Sequence, residues 1–206
     1  MGRVAGKVAL ITGGASGLGA ADARLLAAQG AQVVITDVQE ALGQETAATI
    51  PGALFLKHDV RNEAQWQDVI ARTIAHFGKL DVLVNNAGLV RFGTIEESTL
   101  ADFRFQIDVM LDGCFLGCKS AIPFMTKTGG GSIINVASVA ALKGISTIPA
   151  YSAAKAGIIA MTRSVAVHCQ EQGYRIRVNA IAPGAHDTPM TQQALADTAG
   201  VHVNQI

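Results

Sequence analysis

Three residues in the second half of the sequence, Ser138, Tyr151 and Lys155, could together move a proton to or from a substrate oxygen. Tyr151 and Lys155 are four residues apart, so on a helix they lie on one face, a single turn from each other. A free tyrosine titrates at about 10, and a neighbouring lysine ammonium favours the phenolate. The spacing therefore predicts an acid–base site in which Tyr151 exchanges a proton and Lys155 lowers its pKa.

A glycine-rich segment from Thr12 to Gly19 lies between an apolar run and an amphipathic stretch. Glycines at such a junction permit a tight turn and let the backbone approach a pyrophosphate, whose charge is met by free N–H groups at a helix N-terminus. As a plain structural loop, the same segment would need no ligand. Its position after a predicted strand and before a predicted helix favours a nucleotide-binding turn.

Asp37 ends the second apolar run, about 20 residues past the glycines, where a carboxylate accepts hydrogen bonds from a ribose. A 2′-phosphate about 4 Å from this carboxylate would be repelled by about 4 kcal/mol at an effective dielectric of about 20. The flanking residues Ala15, Ser16 and 38–40 supply no cation to offset this repulsion. The pattern favours NAD over NADP, with a surface turn residue as the alternative interpretation of Asp37.

Short β-branched runs alternate with longer amphipathic stretches, which is typical of repeated βαβ units. Most of the runs are apolar throughout, as in strands covered on both faces by helices. We therefore predict one α/β domain over residues 1–206, with a doubly wound parallel sheet between two helix layers. The predicted strands are Val8–Thr12, Gln32–Asp37, Ala53–Lys57, Asp81–Asn85, Ser132–Ser138 and Ile176–Ala180, and the predicted helices are Leu18–Gln29, Glu63–Phe77, Thr99–Met125 and Tyr151–Gln170.

Composition excludes several other classes of function. Sixteen basic residues balance sixteen acidic ones in 206 residues, so no net field attracts nucleic acid or an anionic membrane. The histidines do not fall at zinc-ligand spacings, and the three cysteines form no Cys-x-x-Cys pair. We expect no metal site, no membrane span and a cytoplasmic location, with a small molecule as the binding partner.

Taken together, five motifs in this order resemble the short-chain dehydrogenase/reductase family in its single-domain form, and in particular its bacterial hydroxysteroid and secondary-alcohol dehydrogenases. The resemblance covers nearly the whole chain and implies a Rossmann-type fold, an NAD cofactor and a homo-oligomer that is tetrameric at full length. The motifs are Thr12-Gly13-x-x-x-Gly17-x-Gly19, Asp59-Val60, Asn85-Asn86-Ala87-Gly88, Ser138 with Tyr151-x-x-x-Lys155, and Pro183-Gly184 followed by Thr188.

The resemblance also implies residue roles. Ser138 would hydrogen-bond the substrate oxygen, Tyr151 would carry its proton, and Lys155 would also hold the nicotinamide ribose. Asp59 and Val60 would border the adenine, while Thr188 would hold the carboxamide. The implied cofactor-binding residues are Gly13, Ser16, Gly17, Leu18, Gly19, Asp37, Asp59, Val60, Asn86, Ala87, Gly88, Tyr151, Lys155, Pro183, Gly184 and Thr188.

The chain departs from the family pattern at two points. Met110 stands where relatives usually carry an asparagine that supports a water in the proton path, and a thioether is only a weak acceptor. The sequence ends at Ile206, where relatives usually continue through a seventh strand and a helix. We expect residues 191–206 to belong to a substrate lid, and we expect the family's last strand and helix to be missing.

Two functions follow from these observations. The first is an oxidoreductase that transfers a hydride between NAD and a secondary alcohol or ketone, with apolar residues Val139, Ala141, Leu142, Ile145 and Ile148 beside the reacting carbon or in the core. The alternative is a catalytically weak NAD-binding scaffold or sensor, motivated by Met110. Each of the three residues also has a purely structural interpretation: Ser138 as a strand-end cap, Tyr151 as a half-buried aromatic residue and Lys155 as a solvated charge.

Overall fold

The computed structural model describes residues 2–192, which form six strands and six α-helices in strict alternation up to the fourth strand. The last residues of the expected lid, 193–206, lie outside the described range. The elements are β1 (Val8–Thr12), α1 (Gly17–Ala28), β2 (Gln32–Asp37), α2 (Glu40–Ala48), β3 (Leu54–Lys57), α3 (Glu63–Phe77), β4 (Val82–Asn85), α4 (Leu100–Ile107), α5 (Gly113–Lys127), β5 (Gly131–Val136), α6 (Pro149–Glu171) and β6 (Ile176–Ile181).

All six strands pair in parallel, in the order β3-β2-β1-β4-β5-β6. The chain moves outward from β1 in one direction and then, after β3, returns to the other side of β1. In a sheet of this kind, ligands bind outside the carboxyl ends of the strands at the point where the order reverses. That point lies between β1 and β4.

Both faces of the sheet are covered, which confirms the predicted three-layer architecture. Leu10 and Ile133 pack against α3, α5 and α6 on one face. Ile11 and Ile35 pack against α1 and α2 on the other. Because successive side chains of a strand point to opposite faces, an uninterrupted apolar strand is what two helix layers require.

Helix α2 was not predicted, because its contacts with the sheet use small residues. Gly43 packs so closely on Phe55 that a Cβ atom there would lie 2.0 Å from the ring. Its other buried residues are Thr46 and Ala47. Small residues give little hydrophobic periodicity, so the signal for a helix is weak in the sequence.

The predicted helix Thr99–Met125 is confirmed as a helical stretch, but it is not a single α-helix. Helix α4 ends at Ile107, a π-helical turn covers Asp108–Asp112, and α5 follows. Thr99 caps α4, because its side chain accepts a hydrogen bond from the Asp102 N–H. Apolar periodicity does not distinguish one helix from two that are joined by a π turn.

Strand β5 ends at Val136, two residues before the predicted end, so Ser138 lies just beyond the strand. None of the helices in residues 2–192 is long and apolar enough to cross a membrane.

A buried histidine, His58, follows β3 and is expected to make the fold sensitive to acid. Thr36 Oγ1 lies 3.2 Å from its Nδ1, and Trp66 packs against the ring at a centroid distance of 4.5 Å. Burial lowers the pKa of His58 from 6.5 to about 4. Because the unfolded chain binds this proton more tightly, stability falls as pH drops from the unfolded pKa to the folded one, by about 3 kcal/mol in total.

This prediction can be checked by urea unfolding of the protein between about pH 7 and about pH 4. His58→Phe keeps a ring against Trp66 but cannot titrate, so its stability should fall less steeply over this range. His76→Gln removes an exposed histidine and serves as the control. Equal slopes for the His58→Phe variant and the parent would show that His58 does not carry the acid sensitivity.

Candidate active site

A cavity of about 440 Å³ opens along the carboxyl edge of the sheet. It passes the ends of β1 to β5, which is the place where open α/β folds bind their ligands. Every catalytic and cofactor-binding residue proposed from the sequence lines this cavity, with the exception of Gly19. The structure also adds residues that sequence reasoning missed, among them Val38, Gln39, His58, Arg61, Leu89, Phe105, Val109, His186, Pro189 and Met190.

Gly19 lies behind the cavity wall, where it allows helix α1 to approach the glycine turn. A Cβ atom on Gly19 would lie 2.3 Å from the Gly13 carbonyl oxygen. Gly13 and Gly17, at the wall itself, have φ angles of 65° and 54°, which favour glycine. The three glycines therefore shape one surface, two by their backbone conformation and one by close packing.

The N-terminus of α1 at this turn is suited to an anion. Ser16 is the N-cap but makes no side-chain capping hydrogen bond within the described part of the chain, and the first turn carries no acidic residue. The free N–H groups and the positive end of the helix dipole are therefore available to a phosphate. This arrangement fits the pyrophosphate of a dinucleotide.

Asn86 joins the glycine turn to the end of β4. Its side chain donates to the carbonyl oxygens of Thr12 at 2.8 Å and Gly13 at 3.2 Å. In return, Thr12 Oγ1 accepts hydrogen bonds from the N–H groups of Asn86 and Ala87, at 3.1 and 3.0 Å. These bonds fix the two walls of the cavity at the point where the strand order reverses.

Asp37 is held by two backbone donors at the end of β2. The Ala15 N–H donates to its Oδ2 at 3.1 Å, and the Gln39 N–H donates to its Oδ1 at 3.0 Å. The residue is only 9% exposed. A carboxylate fixed in this way still has free lone pairs, which could accept hydrogen bonds from ribose hydroxyls.

Ser138 caps the short 3₁₀ turn Val139–Ala141, since its Oγ accepts a hydrogen bond from the Ala140 N–H at 3.2 Å. Ser138 is therefore a cap, as its structural interpretation held, and the capping bond also fixes its side chain at the cavity. An oxygen that already accepts one bond is held in place, and its hydroxyl hydrogen remains free to donate into the cavity. The turn carries Ala141 away from the cavity, and the five apolar residues expected beside the reacting carbon are absent from its lining.

Lys155 is buried, with 4% of its surface exposed, and its Nζ donates to the Val136 carbonyl oxygen at 2.7 Å. The ammonium lies 5.5 Å from the centroid of the Tyr151 ring. Burial lowers the pKa of Lys155 to about 8, although the nearby Cys114 opposes this shift. An ammonium has three donors, so Lys155 can hold ribose hydroxyls as well as the strand carbonyl.

Tyr151, in the first turn of α6, lines the same cavity as Ser138. Burial raises the pKa of Tyr151 above its ordinary value, and the nearby Ser138 hydroxyl partly opposes this effect. The direction is opposite to the one expected from the Tyr151–Lys155 spacing, because desolvation of the phenolate is the largest effect on this pKa. At neutral pH the phenol therefore carries its proton.

Met110 lies inside the π-helical turn and is 1% exposed. Both Met110 and Lys155 approach Gly88: a Cβ atom there would lie 3.5 Å from Lys155 Nζ and 3.6 Å from Met110 Sδ. The Met110 thioether and the Lys155 ammonium therefore both lie next to Gly88. A sulfur atom does not replace the hydrogen bonds of an amide side chain.

The parallel sheet, the anion-binding turn and the Ser138, Tyr151 and Lys155 side chains at one edge define a doubly wound dinucleotide-binding protein. Residues 7–199 match the family model described as short chain dehydrogenase. The chain belongs to this family. It is an oxidoreductase of the class that acts on CH–OH groups with a nicotinamide cofactor.

Similar proteins of known activity agree with this assignment. The chain is 45% identical over 194 residues to 3-beta-hydroxysteroid dehydrogenase of Comamonas testosteroni, covering 94% of this chain and 76% of that protein. It is 44% identical over 199 residues to trans-4-hydroxycyclohexanecarboxylate dehydrogenase of Sinomonas cyclohexanicum, covering 92% and 76%. The crystal structure of levodione reductase superposes with a TM-score of 0.86 at 39% identity, covering 94% of this chain and 77% of that one. These relatives are dehydrogenases and reductases, so the alternative of a catalytically weak scaffold gains no support.

Proposed function

We propose that this chain transfers a hydride between NAD and a secondary alcohol or the corresponding ketone, with Tyr151 as the acid and base. The observation that carries the proposal is that Ser138, Tyr151 and Lys155 line one end of a cavity that also contains an anion-binding helix N-terminus. When bound, the nicotinamide supplies the hydride acceptor or donor. The protein supplies position and proton transfer.

Each catalytic residue has a distinct task. The Ser138 hydroxyl, held by the Ala140 N–H, donates a hydrogen bond to the substrate oxygen. In the direction of ketone reduction, the Tyr151 hydroxyl gives its proton to that oxygen, and in alcohol oxidation the phenolate takes the proton back. Lys155, fixed by the Val136 carbonyl oxygen, holds the ribose and stabilises the phenolate.

NAD is the proposed cofactor because Asp37 lines the part of the cavity where we place the adenosine ribose. Its carboxylate is fixed by two backbone N–H groups, so it cannot easily turn away from an incoming 2′-phosphate. The cavity-lining residues next to it, Val38 and Gln39, are uncharged. A carboxylate in this position accepts hydrogen bonds from ribose hydroxyls and repels a phosphate.

For the substrate, we propose a cyclic secondary alcohol or ketone. The described residues at the reactive end include the apolar Leu89, Pro183 and Met190. The relatives named above act on a hydroxysteroid and on a hydroxycyclohexane carboxylate, according to their names. An apolar wall beside one serine and one tyrosine suits a ring with a single reacting oxygen.

The proposed function is tested by initial rates of cofactor reduction with a panel of linear, cyclic and steroid secondary alcohols, each with NAD and with NADP. We expect turnover with at least one cyclic alcohol and faster rates with NAD. Binding of NAD without turnover on any alcohol of the panel would overturn the proposal of an active dehydrogenase. Faster rates with NADP would overturn the cofactor assignment alone.

We also propose that the protein is a homo-oligomer, because apolar side chains on α4 and α5 face outward. Leu100 is 62% exposed and Phe115 is 49% exposed. Phe115→Glu should lower the molar mass measured by light scattering after size-exclusion chromatography, because a charge cannot be buried unpaired in an interface. Leu25→Glu, on the exposed side of α1, is the control. A monomeric parent protein would contradict this prediction.

The buried free thiols Cys114, Cys118 and Cys169 support a cytoplasmic location. Reduced cysteines persist in a reducing compartment, whereas secreted domains usually carry disulfides. Fractionation of the producing cell tests this proposal, and recovery of the protein outside the cytoplasm would contradict it.

A further inference from the structure

The cavity has two chemically different ends, and the order of the strands separates them. Ser138 follows β5, whereas Arg61 follows β3, and β2, β1 and β4 lie between these strands. Four strand spacings correspond to about 19 Å, which is the scale of an extended dinucleotide. If the reaction takes place beside Ser138, as the proposed function requires, the second nucleotide lies at the β2 and β3 end. The inference below rests on that assignment.

At the β3 end, Arg61 holds the Asp59 carboxylate in a fork. Arg61 Nε donates to Asp59 Oδ1 at 2.9 Å and to Oδ2 at 3.1 Å, and Nη2 donates to Oδ2 at 2.5 Å. The Arg61 main-chain N–H adds a bond to Oδ1 at 3.1 Å. The hydrogen bonds from Arg61 hold the pKa of Asp59 below its ordinary value, so this carboxylate stays ionised.

The guanidinium of Arg61 also stacks on Phe105 of α4. Its Cζ lies 5.2 Å from the ring centroid, and Arg91 approaches the same ring at 4.4 Å. Arg91 is in turn paired with Asp102. Arg61 and Phe105 line the cavity, but Arg91 does not. Phe105 is therefore contacted by two cations, of which one faces the ligand space.

We propose that Arg61 is a positioning residue for the adenine end of the cofactor. Held by Asp59 and Phe105, its planar guanidinium presents a fixed cationic surface to an aromatic base, a geometry that favours stacking. The same hydrogen bonds hold the Asp59 carboxylate and the Arg61 guanidinium in one fixed arrangement at the cavity wall.

The test is calorimetric titration of two halves of the cofactor, ADP-ribose and reduced nicotinamide mononucleotide, into the parent protein and its variants. In Arg61→Gln, we expect ADP-ribose to bind about three- to ten-fold more weakly, while the affinity for the mononucleotide is unchanged. Arg61→Lys keeps the charge but loses the planar fork, so it should not restore the affinity. Arg91→Gln removes the other cation on Phe105 and should change both affinities by less than about two-fold.

Unchanged or tighter ADP-ribose binding in Arg61→Gln would overturn the inference. Equal losses in Arg61→Gln and Arg91→Gln would overturn it as well, because they would trace the effect to the packing of Phe105 alone. A parent protein that binds neither half of the cofactor would overturn the proposed function, and the inference with it. The two failures are therefore distinguishable by the parent protein alone.

Discussion

Replacing Tyr151 by phenylalanine is expected to lower kcat for alcohol oxidation by about 10²- to 10⁴-fold, the range for loss of a positioned acid or base. The ring stays in place beside Ser138 and Lys155, so cofactor affinity should change little. Tyr174→Phe, in a tyrosine outside the cavity, is the matched control and should retain the parent rate. A Tyr151→Phe enzyme within ten-fold of the parent would show that another group carries the proton.

The same residue sets the expected pH dependence. Burial raises the pKa of Tyr151, so only a small fraction is phenolate at neutral pH. Because the phenolate is the base in alcohol oxidation, the oxidation rate should rise as pH increases towards about 8, above which Lys155 loses its charge. Ketone reduction, which uses the phenol, should not rise over the same range. Measurement of kcat against pH in both directions tests this, and an oxidation rate that is flat from neutral to alkaline pH would contradict it.

Replacing Asp37 by asparagine is expected to lower the preference for NAD over NADP, expressed as the ratio of kcat/KM values, by about 10²- to 10³-fold. The change removes a charge whose repulsion of a 2′-phosphate at about 4 Å amounts to about 4 kcal/mol. One amide oxygen remains to accept from Ala15 or Gln39, so the fold should lose only about 1 kcal/mol of stability.

The control for Asp37→Asn is Glu40→Gln, which removes an equal charge three residues further on. Glu40 lies outside the cavity lining and pairs with Lys57 at 3.0 Å on the surface. It should leave the cofactor preference close to that of the parent. Equal changes in both variants would show that general electrostatics, rather than contact with the ribose, determines the choice of cofactor.

The sequence was sufficient to predict the sheet, because strands buried on both faces are apolar, β-branched runs that are shorter than a typical helix. It was insufficient for α2, whose contacts use Gly43 and other small residues, and for the π-helical turn at Met110. Hydrophobic periodicity records which residues are buried, but it does not record how closely two backbones approach or where a helix changes its winding.

The candidate site was predictable where spacing along the chain corresponds to proximity in space. Tyr151 and Lys155 share a helix face, and the glycine turn adjoins its own helix. Arg61 and Phe105 were missed because they come from separate elements and meet only in the folded protein. The direction of the Tyr151 pKa shift was also missed, since the cost of desolvation depends on burial that the sequence does not specify.

The central claim, hydride transfer from the carbon that bears the hydroxyl group, is tested most directly with a cyclic secondary alcohol deuterated at that carbon. The protein is incubated with this alcohol and NAD, and the reduced cofactor is analysed by mass spectrometry. Our account predicts one deuterium in each reduced cofactor molecule. In a parallel reaction, Tyr151→Phe should form much less reduced cofactor, only the amount that its residual turnover allows. Reduced cofactor without deuterium, or no reduction although NAD binds, would contradict it.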